Sequence, residues 1–168
     1  GIKIALGYRY FYPFDKVYEP VYELASKLEI PVMFHTGDTL GSKAMIKYTH
    51  PLHIDEVAVK FSHTNFIMAH LGNPWIVDAS EVVYKNPNVY ADLSGFLEAG
   101  QKLNKWEIEG IKEALNWLDS GDRPIKILYG SDWPLVEMKE YSKIMKGILP
   151  KKFHKDVFFN NAKKLFNL

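Results

Sequence analysis

The sequence predicts an α/β fold on a parallel sheet, and three observations carry that expectation. Five short apolar runs rich in β-branched or aromatic residues recur along the 168 residues, as buried strands do. The stretches between them space their apolar residues as amphipathic helices do. Strict alternation of the two requires helix-covered, right-handed crossovers and therefore parallel pairing.

Taken in order, Ile2–Leu6 reads as the first strand, and Val17, Val21, Leu24 and Leu28 mark one face of the helix after it. Pro31–Phe34 is the second strand, followed by a helix carrying Val57, Ala58 and Phe61. Phe66–Ala69 is the third, and Asn73 before Pro74 has the form of an N-cap and first helical residue. Val89–Leu93 is the fourth strand. Asn104 with Glu107 three residues on reads as a capping box opening a helix through Ile108, Ile111, Leu115 and Leu118. Residues 119–124 read as a surface loop before the fifth strand, Ile125–Tyr129.

A chain of this length buries roughly 70% of its unfolded surface, so a single domain over residues 1–168 is expected. A doubly wound five-stranded sheet and part of a (β/α)8 barrel both fit the alternation. Length alone favours the first, because a whole barrel needs about 250 residues.

Lys and Arg total 21 against 20 for Asp and Glu, a net charge of +1 that sets up no field to gather nucleic acid or an anionic membrane. Neither partner is expected. No apolar run approaches the roughly 20 residues that span a bilayer. The absence of cysteine leaves His and carboxylates as the ligands for a transition metal and fits a reducing cytoplasm. Ile2–Leu6 reads as a strand in mid-flow, so the natural start is expected upstream of Gly1.

Three strands run directly into a polar residue of ligand type: His35 in FHTG, His70 in AHLG and Asp132 in GSDWP. All three are expected on the rim at the C-terminal strand ends, where parallel α/β proteins build their sites. Lys3 and Asp92 lie on the other two strands. A lone His is usually satisfied by a backbone carbonyl, but a second in the equivalent place one unit later favours a site. His35 reads as a metal ligand and His70 as a ligand, a base or a loop anchor, the base being preferred. Asp132 is open between site residue and N-cap of a helix near Pro134. Arg9, amid Tyr8, Tyr10 and Tyr12, is the one candidate grip for a substrate carboxylate. His50 and His53 read as capping or surface residues.

PVMFHTG, FIMAHLGNPW, NVYADLSG, ILYGSDWP and the closing NAKKLF, in this order, resemble the second half of the amidohydrolase-related family, in the branch of aminocarboxymuconate-semialdehyde decarboxylase. The resemblance covers essentially the whole chain and overturns the argument from length. It implies a (β/α)8 TIM-barrel type with only about five βα units here, barrel strands four to eight. It implies His35 as the metal ligand of strand five, His70 as the catalytic His of strand six, and Asp132 as a metal ligand that also takes part in catalysis. Lys3 is left out of the ligands. The His-x-His pair of the family's first strand has no counterpart in this chain.

The function implied is metal-dependent hydrolysis of an amide, lactone or similar bond, with zinc first and manganese second as the divalent ion. Water activated by the metal is the expected nucleophile and His70 the proton shuttle. Two alternatives stand beside it: non-oxidative decarboxylation of an unsaturated or aromatic acid, and a non-catalytic barrel module. The expected partners are a small-molecule substrate and either a second copy of the chain or a missing N-terminal half, because an open half-barrel exposes sheet edges and an apolar interior.

Overall fold

Residues 1–97, 102–121 and 123–168 are described by a computed structural model. Asp122 of the expected 119–124 loop lies outside the described residues. Among them, five strands pair in parallel in the order of the sequence: β1 (Ile2–Ile4), β2 (Val32–Phe34), β3 (Phe66–Met68), β4 (Val89–Asp92) and β5 (Ile127–Leu128). Each pairs only with its sequence neighbours, Ile2 with Val32, Val32 with Phe66, Phe66 with Val89, and Ala91 with Ile127. A doubly wound sheet must reverse its strand order at a switch point. Sequential order with no reversal is the arc of a barrel instead.

The helices are α1 (Glu19–Lys27), α2 (Leu52–Lys60), α3 (Ile76–Lys85), α4 (Lys105–Leu118), α5 (Met138–Ile148) and a short C-terminal α6 (Asn161–Leu165). The period of two along each strand divides the apolar residues between two faces. Ile4, Val32, Phe34, Phe66, Met68, Val89, Ala91 and Ile127 join the helices in the main core. Ile67, Tyr90 and Leu128 form a smaller cluster on the opposite face, closed by Leu165 and Ala162 of α6. The lower interior is therefore covered by the chain's own C-terminus. The outer edge of β5 is covered as well: the Asn161 side-chain amide donates to the carbonyls of Ile125 (2.7 Å) and Ile127 (2.8 Å), and the Tyr129 N–H donates to Val157 O (2.9 Å).

The helix expected from Val17, Val21, Leu24 and Leu28 forms, but on another face. Tyr22 and Ala25 are its buried residues, while Val17, Leu24 and Leu28 are each at least half exposed. The larger ring decides the orientation. Tyr22 meets Phe34, Phe61 and Phe66 edge to face with centroids 5.0–5.9 Å apart and donates its hydroxyl proton to Pro13 O. Such aromatic contacts add about 0.5–1.5 kcal/mol each beyond area burial. The capping box is present, with Asn104 Oδ1 accepting from the Glu107 N–H and Glu107 Oε2 from the Asn104 N–H, both at 2.9 Å.

Asn73 is not a helix cap. The chain makes an extra turn through His70, Leu71 and Gly72, all at positive φ, so α3 starts only at Ile76.

Lys126, on the lead into β5, is buried and donates to Val83 O (2.7 Å) in the last turn of α3. Burial, and then the Arg123 and Lys164 charges, push its pKa down to about 8. The unfolded chain therefore holds more protons between pH 8 and about 10.5, and stability rises with pH across that window. We expect Lys126→Met to raise stability at pH 7 by about 1 kcal/mol after discounting for solvent screening. In denaturant titrations the gain should shrink as pH rises toward 10. A variant less stable than the parent at pH 7 would mean that the bond to Val83 outweighs burial.

Candidate active site at the C-terminal strand ends

A cavity of about 450 Å³ opens at the C-terminal ends of the strands, within the usual range for small-molecule sites. Lys3, Tyr8, His35, His70 and Asp132 line it on the polar side, together with Asp38, Asn73 and Glu107. Leu40, Phe96, Leu97 and Leu135 form an apolar wall. Strands β1, β2, β3 and β5 thus each send at least one polar side chain into the same space.

His35 follows β2 directly, and its N–H continues the ladder to Ile4 O (2.9 Å). The chain then turns at Gly37, at φ +88°. The Thr36 hydroxyl donates to Ala69 O (2.6 Å), tying the end of β2 to the end of β3. Its Nε2 lies 2.9 Å from Asp38 O, and its Nδ1 faces His70 Nε2 at 3.2 Å. Tyr8 meets it edge-on, with centroids 5.5 Å apart. Burial, the neighbouring His70 and Lys3 together push the His35 pKa down to about 4, against the opposing pull of Asp38 and Asp132. At neutral pH the ring is uncharged, the form a metal ligand requires.

His70 sits at φ 65°, in the left-handed region. Its N–H donates to Asp92 Oδ1 (2.9 Å), and its Nδ1 lies 2.9 Å from Ser94 Oγ. Asp132 is also left-handed, at φ 62°, and its carbonyl accepts from the Leu135 N–H. It is not a helix cap: α5 begins at Met138 and is capped by Glu137, whose carboxylate accepts from the Lys139 N–H. Lys3 reaches from β1 toward Met33 Sδ (3.4 Å) and still opens onto solvent. Protein packed about its stem lowers its pKa, while Asp92 and Asp132 pull the other way.

The structure thus brings His35, His70 and Asp132 to one cavity. Arg9 is exposed, is not among the cavity-lining residues, and places its charge near Tyr18. His50 and His53 belong to an aromatic cluster with Tyr12, Phe14 and Trp75 and do not line the cavity. Ser94, buried behind His70 Nδ1, is a residue that sequence reasoning passed over. Its signal was spacing: it stands two residues after Asp92, the last residue of β4, where continued alternation would give the two one face. Glu107 gave no such signal, since its capping role accounted for it.

The donor set suits a divalent ion in kind, with a neutral imidazole nitrogen of His35 and the Asp132 carboxylate on one cavity. Among the described residues, however, no three His, Asp or Glu side chains gather closely enough to hold an ion. The set is therefore one protein ligand short of the usual catalytic zinc. Asn73 Oδ1, on the same wall, is buried without a hydrogen-bond partner among the described residues.

A family model described as amidohydrolase matches residues 1–168. The chain belongs to the amidohydrolase family. Members of this family are in general metal-dependent enzymes, and both hydrolases and a decarboxylase occur among its structural neighbours. An uncharacterised TIM-barrel protein from Bordetella bronchiseptica is 25% identical with a TM-score of 0.76, over 98% of this chain and 57% of that one. A Pseudomonas putida protein provisionally assigned as a 2-pyrone-4,6-dicarboxylic acid hydrolase is 14% identical with a TM-score of 0.71, over 99% of this chain and 63% of that one. A 5-carboxyvanillate decarboxylase from Novosphingobium aromaticivorans, complexed with manganese and 4-hydroxy-3-methoxy-5-nitrobenzoic acid, is 14% identical with a TM-score of 0.64, over 100% of this chain and 56% of that one. No curated protein matches the sequence. This amidohydrolase chain therefore spans less than two thirds of those neighbours, as five βα units of a TIM-barrel-type fold. None of its described helices is long and apolar enough to cross a membrane.

Proposed function

We propose that this chain carries the catalytic strand ends of a metal-dependent hydrolase acting on an amide, lactone or similar bond of a small molecule. The branch is that of aminocarboxymuconate-semialdehyde decarboxylase. The observation that carries the reading is the His35–His70 pair, 3.2 Å apart at the mouth of four strand ends, with Asp132 on the same cavity.

In this reading His35 Nδ1 and Asp132 would hold the ion, zinc first and manganese second, and the third protein ligand would come from outside this chain. A bound divalent ion supplies Lewis acidity, bringing water's pKa toward about 7. His70 Nε2 takes the proton from the attacking water and returns it to the leaving group, a transfer worth about 10²–10⁴-fold in rate. Lys3 is the lining cation that meets an anionic group on the substrate. Leu40, Phe96, Leu97 and Leu135, lining the same cavity, seat the apolar part and keep water from it.

Decarboxylation is the second reading, favoured by the apolar lining residues and the lining cation Lys3 together, which suit a flat acid. In it His70 gives its proton to the substrate carbon that loses carbon dioxide. Assays on 2-pyrone-4,6-dicarboxylate and 5-carboxyvanillate separate the two by product, ring-opened acid against carbon dioxide.

Metal content tests both. Protein purified without chelator should hold about one equivalent of zinc or manganese per chain by elemental analysis, and His35→Ala should lose it. No metal after reconstitution would mean that His35 and Asp132 do not hold the ion without the third ligand, that the chain works through His70 without a metal, or that it is the non-catalytic barrel module.

A further inference from the structure

We infer that Asp92 and Ser94 form a positioning pair that holds His70 as its Nδ1–H tautomer and turns a bare Nε2 toward the cavity. The inference deepens the reading of His70 as the proton-moving group and rests on that reading only for its effect on turnover.

A count of protons along the chain of contacts carries the argument. Asp92 is 5% exposed, and its Oδ1 accepts from the His70 N–H (2.9 Å), the Ser94 N–H (3.0 Å) and the Ser94 hydroxyl (2.6 Å). A hydroxyl has one proton to give. Ser94 Oγ has two claimants, the Asp92 carboxylate at 2.6 Å and His70 Nδ1 at 2.9 Å. A bond to a carboxylate is roughly twice as strong as a neutral one, so the proton goes to Asp92. Ser94 can then only accept from His70, which places the ring proton on Nδ1.

The far side of the cavity fixes the other ring. Asp38 O is an acceptor only, so His35 carries its proton on Nε2. In these tautomers the two rings face each other through bare nitrogens, His35 Nδ1 and His70 Nε2, at 3.2 Å. Two lone pairs that close make no bond of their own and stay open to a proton or a cation.

The backbone is shaped for this arrangement. Gly95 lies at φ +70°, and a Cβ there would come 2.3 Å from His70 Nδ1, so only glycine lets Ser94 reach the ring. The carboxylate oxygen that orients Ser94 also anchors the main chain of His70, so one group aligns both the backbone and, through the hydroxyl, the imidazole.

Ring-nitrogen NMR of the 15N-labelled, chelator-treated chain at pH 7.5 tests this, with the His70 signals assigned by their loss in His70→Asn. We expect Nδ1 protonated and Nε2 bare. In Ser94→Ala the acceptor at Nδ1 is gone and His35 Nδ1 is the one left within reach, so the proton should move to Nε2. Asp92→Asn should give a mixture, because a neutral amide competes less well for the hydroxyl proton. Turnover in Ser94→Ala should fall about 10- to 100-fold in kcat with KM little changed. A His70 Nδ1 without a proton in the parent chain overturns the inference, as does an unchanged tautomer in folded Ser94→Ala. The first result needs no variant to fold. The spectrum is independent of turnover: an inactive chain with the expected spectrum counts against the proposed function alone, and an active chain with a bare Nδ1 against this inference alone.

Discussion

His70→Asn lowers kcat by about 10²–10⁴-fold while leaving the fold intact, the range that loss of a general acid or base gives. Asparagine is the informative replacement because His70 lies at φ 65°, a region that Asn tolerates better than most residues. The main-chain bond from residue 70 to Asp92 Oδ1 is kept. We expect a stability change within about 1 kcal/mol, or about 2–4 °C in Tm for a chain of this size. KM should move little, because the ring acts on the proton and leaves the substrate's fixed contacts to Lys3 and the apolar wall. Steady-state kinetics on the turned-over substrate, with thermal unfolding alongside, decides the point. Unchanged turnover in a folded variant would remove His70 from the chemistry.

Gly37→Ala is expected to cost at least about 3 kcal/mol, among the larger single-residue effects and a sizeable part of a typical total of about 5–15 kcal/mol. Two penalties coincide. Gly37 sits at φ +88°, and a Cβ there would lie 2.1 Å from Asn73 O and 2.9 Å from Gly72 C. Both are backbone atoms, so no rotamer change relieves the overlap. The two loops would have to part, breaking the bond from the Asp38 N–H to Asn73 O (2.7 Å). Thermal unfolding should show a Tm lower by about 6 °C or more. Gly147→Ala in α5 makes the opposite control. Nothing lies within 4 Å of its Cβ position, and alanine should add up to about 1 kcal/mol through helix propensity. Equal stability of Gly37→Ala and the parent would show that the loops after β2 and β3 do not pack together as described.

Much of this architecture was legible locally. Each of the five strands lies inside the apolar run that announced it, and the capping box of α4 stands where Asn104 and Glu107 placed it. The three polar strand-end residues His35, His70 and Asp132 line one cavity because parallel strands all deliver their C-terminal ends to one rim. Length pointed to the wrong architecture, since the number of βα units is equal in a doubly wound sheet and in a barrel arc. Strand order separates the two, and order is a property of pairing.

Composition, period and motif alone determined the α/β class, the alternation, the amidohydrolase resemblance and the strand-end residues, because these rest on contacts between near neighbours in the chain. Tertiary structure decided the rest. It chose Tyr22 over Leu24 for the buried face of α1, because a ring packed among three phenylalanines outweighs a leucine stripe. It left Arg9 outside the cavity and put Lys3 in its wall. It joined His70 to Ser94 and Asp92, 24 and 22 residues away. Residues far apart in sequence meet only when the sheet assembles, and hydrogen bonds at 2.6–2.9 Å leave little slack in where the strands must lie.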